Sequence, residues 1–371
     1  MRIENRFLWR LVSPGESAWV RIEARKSKIE RKIVNTLCCF LLLAIMSSCA
    51  HEKEKIYKKS TIMMDTVITR SVVSHSKSHA EQAINSAFSE IKRLEALFDF
   101  YSPDSEVSRI NKHAGLSRVT VSPDMLTVLE RASFVSEKTG GAFDVTIGSL
   151  LVFYDFAHGI KPQQRAIEMH LPLVNYKAVR IDRKDASVFL EKKGMLIDLG
   201  GIVKGYVADR VVETLKRAGI RSGLVAVAGD IKAFGLKPNE KPWKIGIKDP
   251  RAEGKDDIIA TLDLKDMAIS TSGDYERYFI LEGERYHHLL SPKTGYPARI
   301  CQSVSIIAEE GALADAFATG VFILGPEKGM TVIKEMGFDG LIIDKEGIIH
   351  VTPNIREKIE FEKTFTRHNE S

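Results

Sequence analysis

The sequence is short of thiols, of charge of one sign and of long apolar runs, and each shortage excludes something. Four cysteines occur in 371 residues, three of them (Cys38, Cys39 and Cys49) near the N-terminus. Cys301 alone remains downstream, which excludes a disulfide framework within that part of the chain. In Ile300-Cys301-Gln302-Ser303-Val304 it reads as an interior strand residue, because no reactive partner stands beside it in sequence. Basic residues outnumber acidic ones by 54 to 49, but the first 48 residues carry nine basic and four acidic side chains, leaving 45 of each. A globular part without net charge lacks the basic face that nucleic-acid binding needs, so no nucleic-acid partner is expected. The apolar run from Ile33 to Met46 is too short to span a bilayer comfortably. Linkers, repeats and low-complexity stretches are missing after Ser60, and 44% hydrophobic with 28% charged residues is a globular composition.

What is present begins with a leader. Arg25, Lys26, Lys28, Arg31 and Lys32 precede the apolar run, and Ser47-Ser48-Cys49 follows it. Basic stretch, apolar core and small residues before a cysteine resemble the export signal and lipobox of a bacterial lipoprotein, although Met46 is atypical for that motif. The expected organisation is a leader over 1–48, a lipidated Cys49 with a polar tether over 49–59, and one catalytic-size unit over 60–371. The expected location is the bacterial cell envelope, anchored to a membrane and facing the periplasm. The long head before Arg25 points to a translation start placed too early or to a long cytoplasmic segment.

Periodicity predicts a helix opening at the capping box Ser78-His79-Ala80-Glu81, with Ile84, Phe88, Ile91, Leu94 and Phe98 on its inner face. A second opens at Ser122-Pro123 and ends at Gly140-Gly141. Strands are expected near 178–181, 188–190, 195–199, 224–228, 243–247, 260–264, 278–281, 304–307 and 340–343. Helices and strands mix without strict alternation, which predicts an α+β (mixed α/β) fold with a mostly antiparallel sheet.

Four segments carry chemistry. In Asp198-Leu199-Gly200-Gly201-Ile202-Val203-Lys204-Gly205 a strand runs through a glycine turn into a helix, a cradle where backbone N–H groups and Lys204 can meet an anion. A solvated lysine in an ordinary turn is the plain alternative, and the spacing matches neither a dinucleotide fingerprint nor a Walker loop. Asp315 and Thr319 lie one turn apart on an otherwise apolar helix, where a buried carboxylate needs a partner. Oxygen donors of that kind suit Mg²⁺; an ion pair with a distant basic residue or a first-turn cap serves equally. His287-His288 ends a strand before a Pro/Gly loop. Ser270-Thr271-Ser272-Gly273 reads as a hydroxyl-rich turn.

Together with Ser108-Arg109-Ile110-Asn111 and Gly141-Ala142-Phe143-Asp144-Val145-Thr146-Ile147-Gly148, these segments occur in the order that resembles the ApbE family, the FAD:protein FMN transferases. The resemblance spans residues 60 to 365 and implies an ApbE-like catalytic domain. It implies Mg²⁺ held by the Gly201 backbone oxygen, Asp315 and Thr319. It implies FAD as substrate, contacted by Met64, Tyr101, Gly141, Ala142, Phe143, Asp198, Lys204 and Leu290, and His288 acting in the transfer. The implied reaction moves FMN from FAD to a threonine of a target flavoprotein, such as a membrane redox-complex subunit, with release of AMP.

Three stretches depart from the family pattern: Met64-Asp65-Thr66 for Met-Gly-Thr, Ser291-Pro292 for Asp-Pro, and Tyr154-Asp155-Phe156 for Trp-Gly-Phe. Rivals are an FAD pyrophosphatase using water at the same site and a non-enzymatic flavin-binding lipoprotein. A third, a penicillin-binding enzyme through Ser74-x-x-Lys77 and Lys293-Thr294-Gly295, lacks the Ser-Asp-Asn motif.

Overall fold

In the main sheet, strand-forming runs pair in the order in which they occur along the chain. In this computed structural model, which describes residues 26, 28–34, 36, 53–252, 254 and 257–362, the frame is an eight-stranded sheet. Its strands are β1 (Lys55–Met63), β2 (Thr66–Ser74), β3 (Gly223–Val227), β4 (Asp230–Phe234), β5 (Ala268–Gly273), β6 (Cys301–Ala308), β7 (Asp339–Asp344) and β8 (Ile349–Val351). Spatial order equals chain order and every neighbouring pair is antiparallel. Between Lys55 and Val351 the helices and smaller strands are insertions between consecutive strands of one meander, which is why the sequence alternates irregularly.

Period-two patterning gives the sheet two apolar faces. Val225, Val227, Val304, Ile306 and Ile342 face one core, while Val73, Ile269, Ile307, Leu341 and Ile343 face another. The first core is covered by α1 (Lys77–Phe98), α2 (Glu106–Lys112), α3 (Pro123–Lys138), α4 (Val203–Arg217) and α5 (Gly311–Leu324). The second is covered by a small sheet of Trp243–Lys248, Ile258–Leu264 and Glu360–Phe361. The α+β class with an antiparallel sheet is therefore as expected.

Four local expectations change. The first strand begins at Lys55, so residues 55–59 of the stretch read as a tether over 49–59 belong to an edge strand, masked in sequence by its lysines and the exposed Ile56 and Ile62. The helix α1 is capped by Ser76, whose hydroxyl accepts from the His79 N–H, and not by Ser78, and Phe88 lies on its exposed side. Residues 195–199 form no ladder. Their polar groups bond to side chains and a turn instead: Asn111 brackets Ile197 at 2.8 and 3.0 Å, Ser149 Oγ accepts from Leu196 N–H, and Asp198 N–H donates to Val145. Residues 270–273 belong to β5 and are no turn. Residues 28–34 are helical; Cys49, residues 50–52 and residues 363–371 lie outside the described residues.

Candidate active site

The site starts where two helices touch. A β-carbon on Gly205 would stand 2.1 Å from the Gly311 carbonyl oxygen, so only glycine lets α4 and α5 approach this closely. Asp209 strengthens the crossing by accepting from the Gly311 and Ala312 N–H groups at 2.9 and 3.0 Å, which caps α5 from the neighbouring helix. One turn further, Asp315 Oδ2 accepts from Gly205 N–H at 3.1 Å, and its other oxygen lies 3.5 Å from Lys204 Nζ. The ion pair foreseen as an alternative for Asp315 therefore exists, and it lies inside the candidate site.

Lys204 is no solvated turn lysine. Its ammonium is 2.7 Å from Asp230 Oδ2, a carboxylate only 2% exposed. Burial alone would lower the Lys204 pKa, but the two carboxylates outweigh it and hold the ammonium above its ordinary value. Burial, and then the Asp230 charge, push the Asp315 carboxyl well up, against the pull of Lys204. Thr319 Oγ1 lies 3.0 Å from Ser272 Oγ. A β-carbon on Gly201 would stand 3.2 Å from the same Thr319 oxygen and 3.3 Å from the Phe143 ring, so the glycine loop, α5 and the Gly-Ala-Phe segment meet here.

These groups line a cavity of about 530 Å³. Met64, Tyr101, Ala142, Phe143, Asp198, Gly201, Lys204, His288, Leu290, Asp315 and Thr319 all face it. Gly141 alone of the expected residues does not; with φ 78° it turns the chain out of α3 beneath the Tyr176 ring. Tyr101 is 74% exposed and marks the rim.

The two histidines separate. His287 is 3% exposed, its Nε2 2.7 Å from the Ala298 carbonyl and its ring edge-on to Phe322. It is a core residue. His288 faces the cavity with Nδ1 3.3 Å from the Arg277 carbonyl, so that nitrogen carries the proton and Nε2 keeps the lone pair. Burial first, then the Arg277 charge, pull its pKa down to about 3, which leaves the imidazole neutral.

The departures from the family pattern have local reasons. Met64 and Asp65 form a two-residue hairpin turn with φ 52° and 55°, a conformation that aspartate tolerates better than most residues. Ser291 Oγ accepts from Lys293 N–H and so serves the turn as aspartate would. Tyr154 donates to the Gly295 carbonyl at 2.9 Å and stacks on Phe156. Ser74 is tied to Ser76 by its hydroxyl and does not line the cavity, which removes the penicillin-binding alternative.

Sequence reading missed Asp230 and Arg277. Asp230 follows a strand in Ala228-Gly229-Asp230, a plain hairpin signal, and only the fold carries it to Lys204.

The residues fit a hard cation. Among the described residues there is no group of three or more His, Cys, Asp or Glu able to hold a metal. The Asp315 carboxylate and the Thr319 hydroxyl, with the Gly201 backbone beside Thr319, are a sparse oxygen set of the kind Mg²⁺ uses with water alone, or with substrate phosphates, completing its shell. Asp230 and Asp315 against Lys204 also leave an excess of negative charge, and Asp230 Oδ1 is buried without a hydrogen-bond partner.

Comparison with known proteins gives one answer. Residues 64–342 match the model of the ApbE family. The chain is 30% identical over 345 residues to the FAD:protein FMN transferase of Treponema pallidum, covering 88% of this chain and 94% of that protein. A relative of the same name from Klebsiella pneumoniae is 33% identical over 295 residues, 78% and 90% of the two chains. The crystal structure of the ApbE protein from Thermotoga maritima superposes with a TM-score of 0.76 at 36% identity, covering 82% of this chain and 99% of that one. The apo flavinyl transferase ApbE of Pseudomonas stutzeri gives 0.72 at 29%, covering 82% and 97%.

Proposed function

This chain belongs to the ApbE family and is a transferase, and from that premise we propose that it transfers FMN from FAD to a threonine hydroxyl of a target flavoprotein in a Mg²⁺-dependent reaction. The observation that carries the reading is the gathering of eleven residues from well-separated segments around one cavity. FAD would lie with its pyrophosphate toward Lys204 and the N-terminus of α4. Asp315, Thr319 and the Gly201 carbonyl would hold Mg²⁺, which when bound neutralises phosphate charge.

The chain's own groups supply the rest. The threonine oxygen attacks the phosphorus on the riboflavin side, the bond to the bridging oxygen breaks, and AMP leaves with that oxygen. His288, neutral and with Nε2 unprotonated, accepts the hydroxyl proton. Its depressed pKa makes it a weak base in the free protein; the negative pyrophosphate would offset the Arg277 and Lys204 charges that contribute to the depression. Lys204 stabilises charge on the pyrophosphate through the transition state.

For location we propose export and anchoring to the membrane of the bacterial envelope through lipidated Cys49, facing the periplasm. The basic stretch, the apolar run and Ser47-Ser48-Cys49 support it. No helix among the described residues is long and apolar enough to cross a membrane.

The test incubates the full chain with FAD, Mg²⁺ and an acceptor flavoprotein, following AMP and flavin fluorescence on the denatured acceptor. Both products are expected, and both are expected to vanish on chelation and in Asp315→Ala. AMP without labelled acceptor would replace transfer by hydrolysis, and neither product would leave a flavin-binding lipoprotein.

A further inference from the structure

Lys204 stands between two buried carboxylates at unequal distances, 2.7 Å from Asp230 and 3.5 Å from Asp315. The nearer one is presented by a tight turn: Val227 pairs with Asp230 across Ala228-Gly229, and Ala228 is held at φ 53°. A non-glycine residue in that region is strained, and such strain is kept where surrounding contacts fix the conformation. Here the turn sets a carboxylate that is 2% exposed on the cavity wall.

We infer that Asp230 is a positioning residue that holds the Lys204 ammonium off Asp315, so that the Asp315 carboxylate stays open to a divalent cation. The inference rests on the metal site proposed above. Without Asp230, the one carboxylate within 4 Å of the half-buried Lys204 ammonium among the described residues is Asp315, already at 3.5 Å with Gly205 N–H on its other oxygen. Closing that gap would place an ammonium on the carboxylate that the cation needs. With Asp230 present, the ammonium is satisfied elsewhere and still faces the cavity, where a pyrophosphate would lie.

The experiment is Mn²⁺ binding to the full chain without nucleotide, followed by the loss of the free-ion EPR signal. Wild type should bind and Asp315→Asn should not; equal binding by both, or none by wild type, would sink the metal site itself and this inference with it. Given a wild-type site, Asp230→Asn should weaken Mn²⁺ by about tenfold or more, the range seen when groups outside the coordination shell are removed. Asp230→Asn binding as tightly as wild type would overturn the role of Asp230 while leaving the metal site standing. The Lys204→Met background separates positioning from general damage. If Asp230 acts through Lys204, adding Asp230→Asn to Lys204→Met should change Mn²⁺ affinity by less than about threefold. A repeated tenfold loss in that background would show that Asp230 acts some other way. Should Asp230→Asn fail to fold, Asp230→Ser replaces it in both the wild-type and the Lys204→Met backgrounds, and the same two comparisons decide.

Discussion

Gly205 and Gly311 meet backbone to backbone, with space for no β-carbon on Gly205. This contact sets the candidate site because each helix places a site residue within about one turn of it: Lys204 beside Gly205 on α4, and Asp315 four residues after Gly311 on α5. The hydrogen bond from Gly205 N–H to Asp315 ties the two sides together.

Gly205→Ala should therefore damage both stability and chemistry. The added methyl must push α4 and α5 apart, a form of overpacking that costs about 1–3 kcal/mol, even though alanine is intrinsically the better helix former. A thermal melt should fall by several degrees, and Mn²⁺ affinity should fall with it because Asp315 moves relative to Thr319 and the glycine loop. An unchanged melting temperature would mean that the crossing is looser than the backbone distance indicates.

How much of this was legible in sequence depends on whether a residue's role is local. Asp315 and Thr319 share a helix, and a carboxylate on an apolar helix advertises itself through the cost of burial. The position of Lys204 in a first helical turn after glycines is likewise a local pattern. Asp230 and Arg277 are not local: one is a hairpin residue and the other a loop residue, and only the sheet order brings them to the cavity. The strand β1 was hidden for a different reason, since an edge strand guarded by Lys55, Lys58 and Lys59 shows little apolar alternation. Residues 195–199 have a strand's composition, but Asn111 and Ser149 take the hydrogen bonds a neighbouring strand would have made.

His287 should make the fold acid-sensitive. Burial, the largest cause, pulls its pKa down to about 4, and its two ring nitrogens are engaged as a neutral tautomer, Nε2 donating to Ala298 and Nδ1 accepting from Leu289 N–H. An unfolded chain takes up the proton near pH 6.5 while the folded chain refuses it down to about pH 4. The unfolded state thus binds more protons in this window, so the stabilisation is whole above pH 6.5 and is lost as pH falls, by up to about 1.4 kcal/mol per unit. Denaturant midpoints between pH 7.5 and pH 4.5 should fall less steeply in His287→Gln, with a residual slope from His288, whose pKa is also lowered. Parallel profiles for wild type and variant would assign the acid sensitivity to other groups.

Asp144 should separate nucleotide binding from metal binding. Its Oδ1 accepts from Thr146 N–H and Thr146 Oγ1 at 2.8 and 2.6 Å, and its Oδ2 accepts from Tyr176 N–H at 2.8 Å. Thr146 Oγ1 in turn accepts from Asn175 N–H, and Val145 holds Asp198 N–H through its carbonyl. One buried carboxylate thus locks the segment after Phe143 onto the loop bearing Tyr176 and steadies Asp198, yet it touches neither Asp315 nor Thr319. Asn at this position has a single carbonyl oxygen for three donors, and its NH₂ would face one of them. A buried donor left unpaired costs about 1–3 kcal/mol. FAD affinity of Asp144→Asn, read by flavin fluorescence, should fall several-fold as Phe143 and Asp198 lose their fixed positions, while Mn²⁺ affinity stays near wild type. Equal losses of both would mean that the segment after Phe143 supports the whole site through the Phe143–Gly201–Thr319 contact and not the nucleotide side alone.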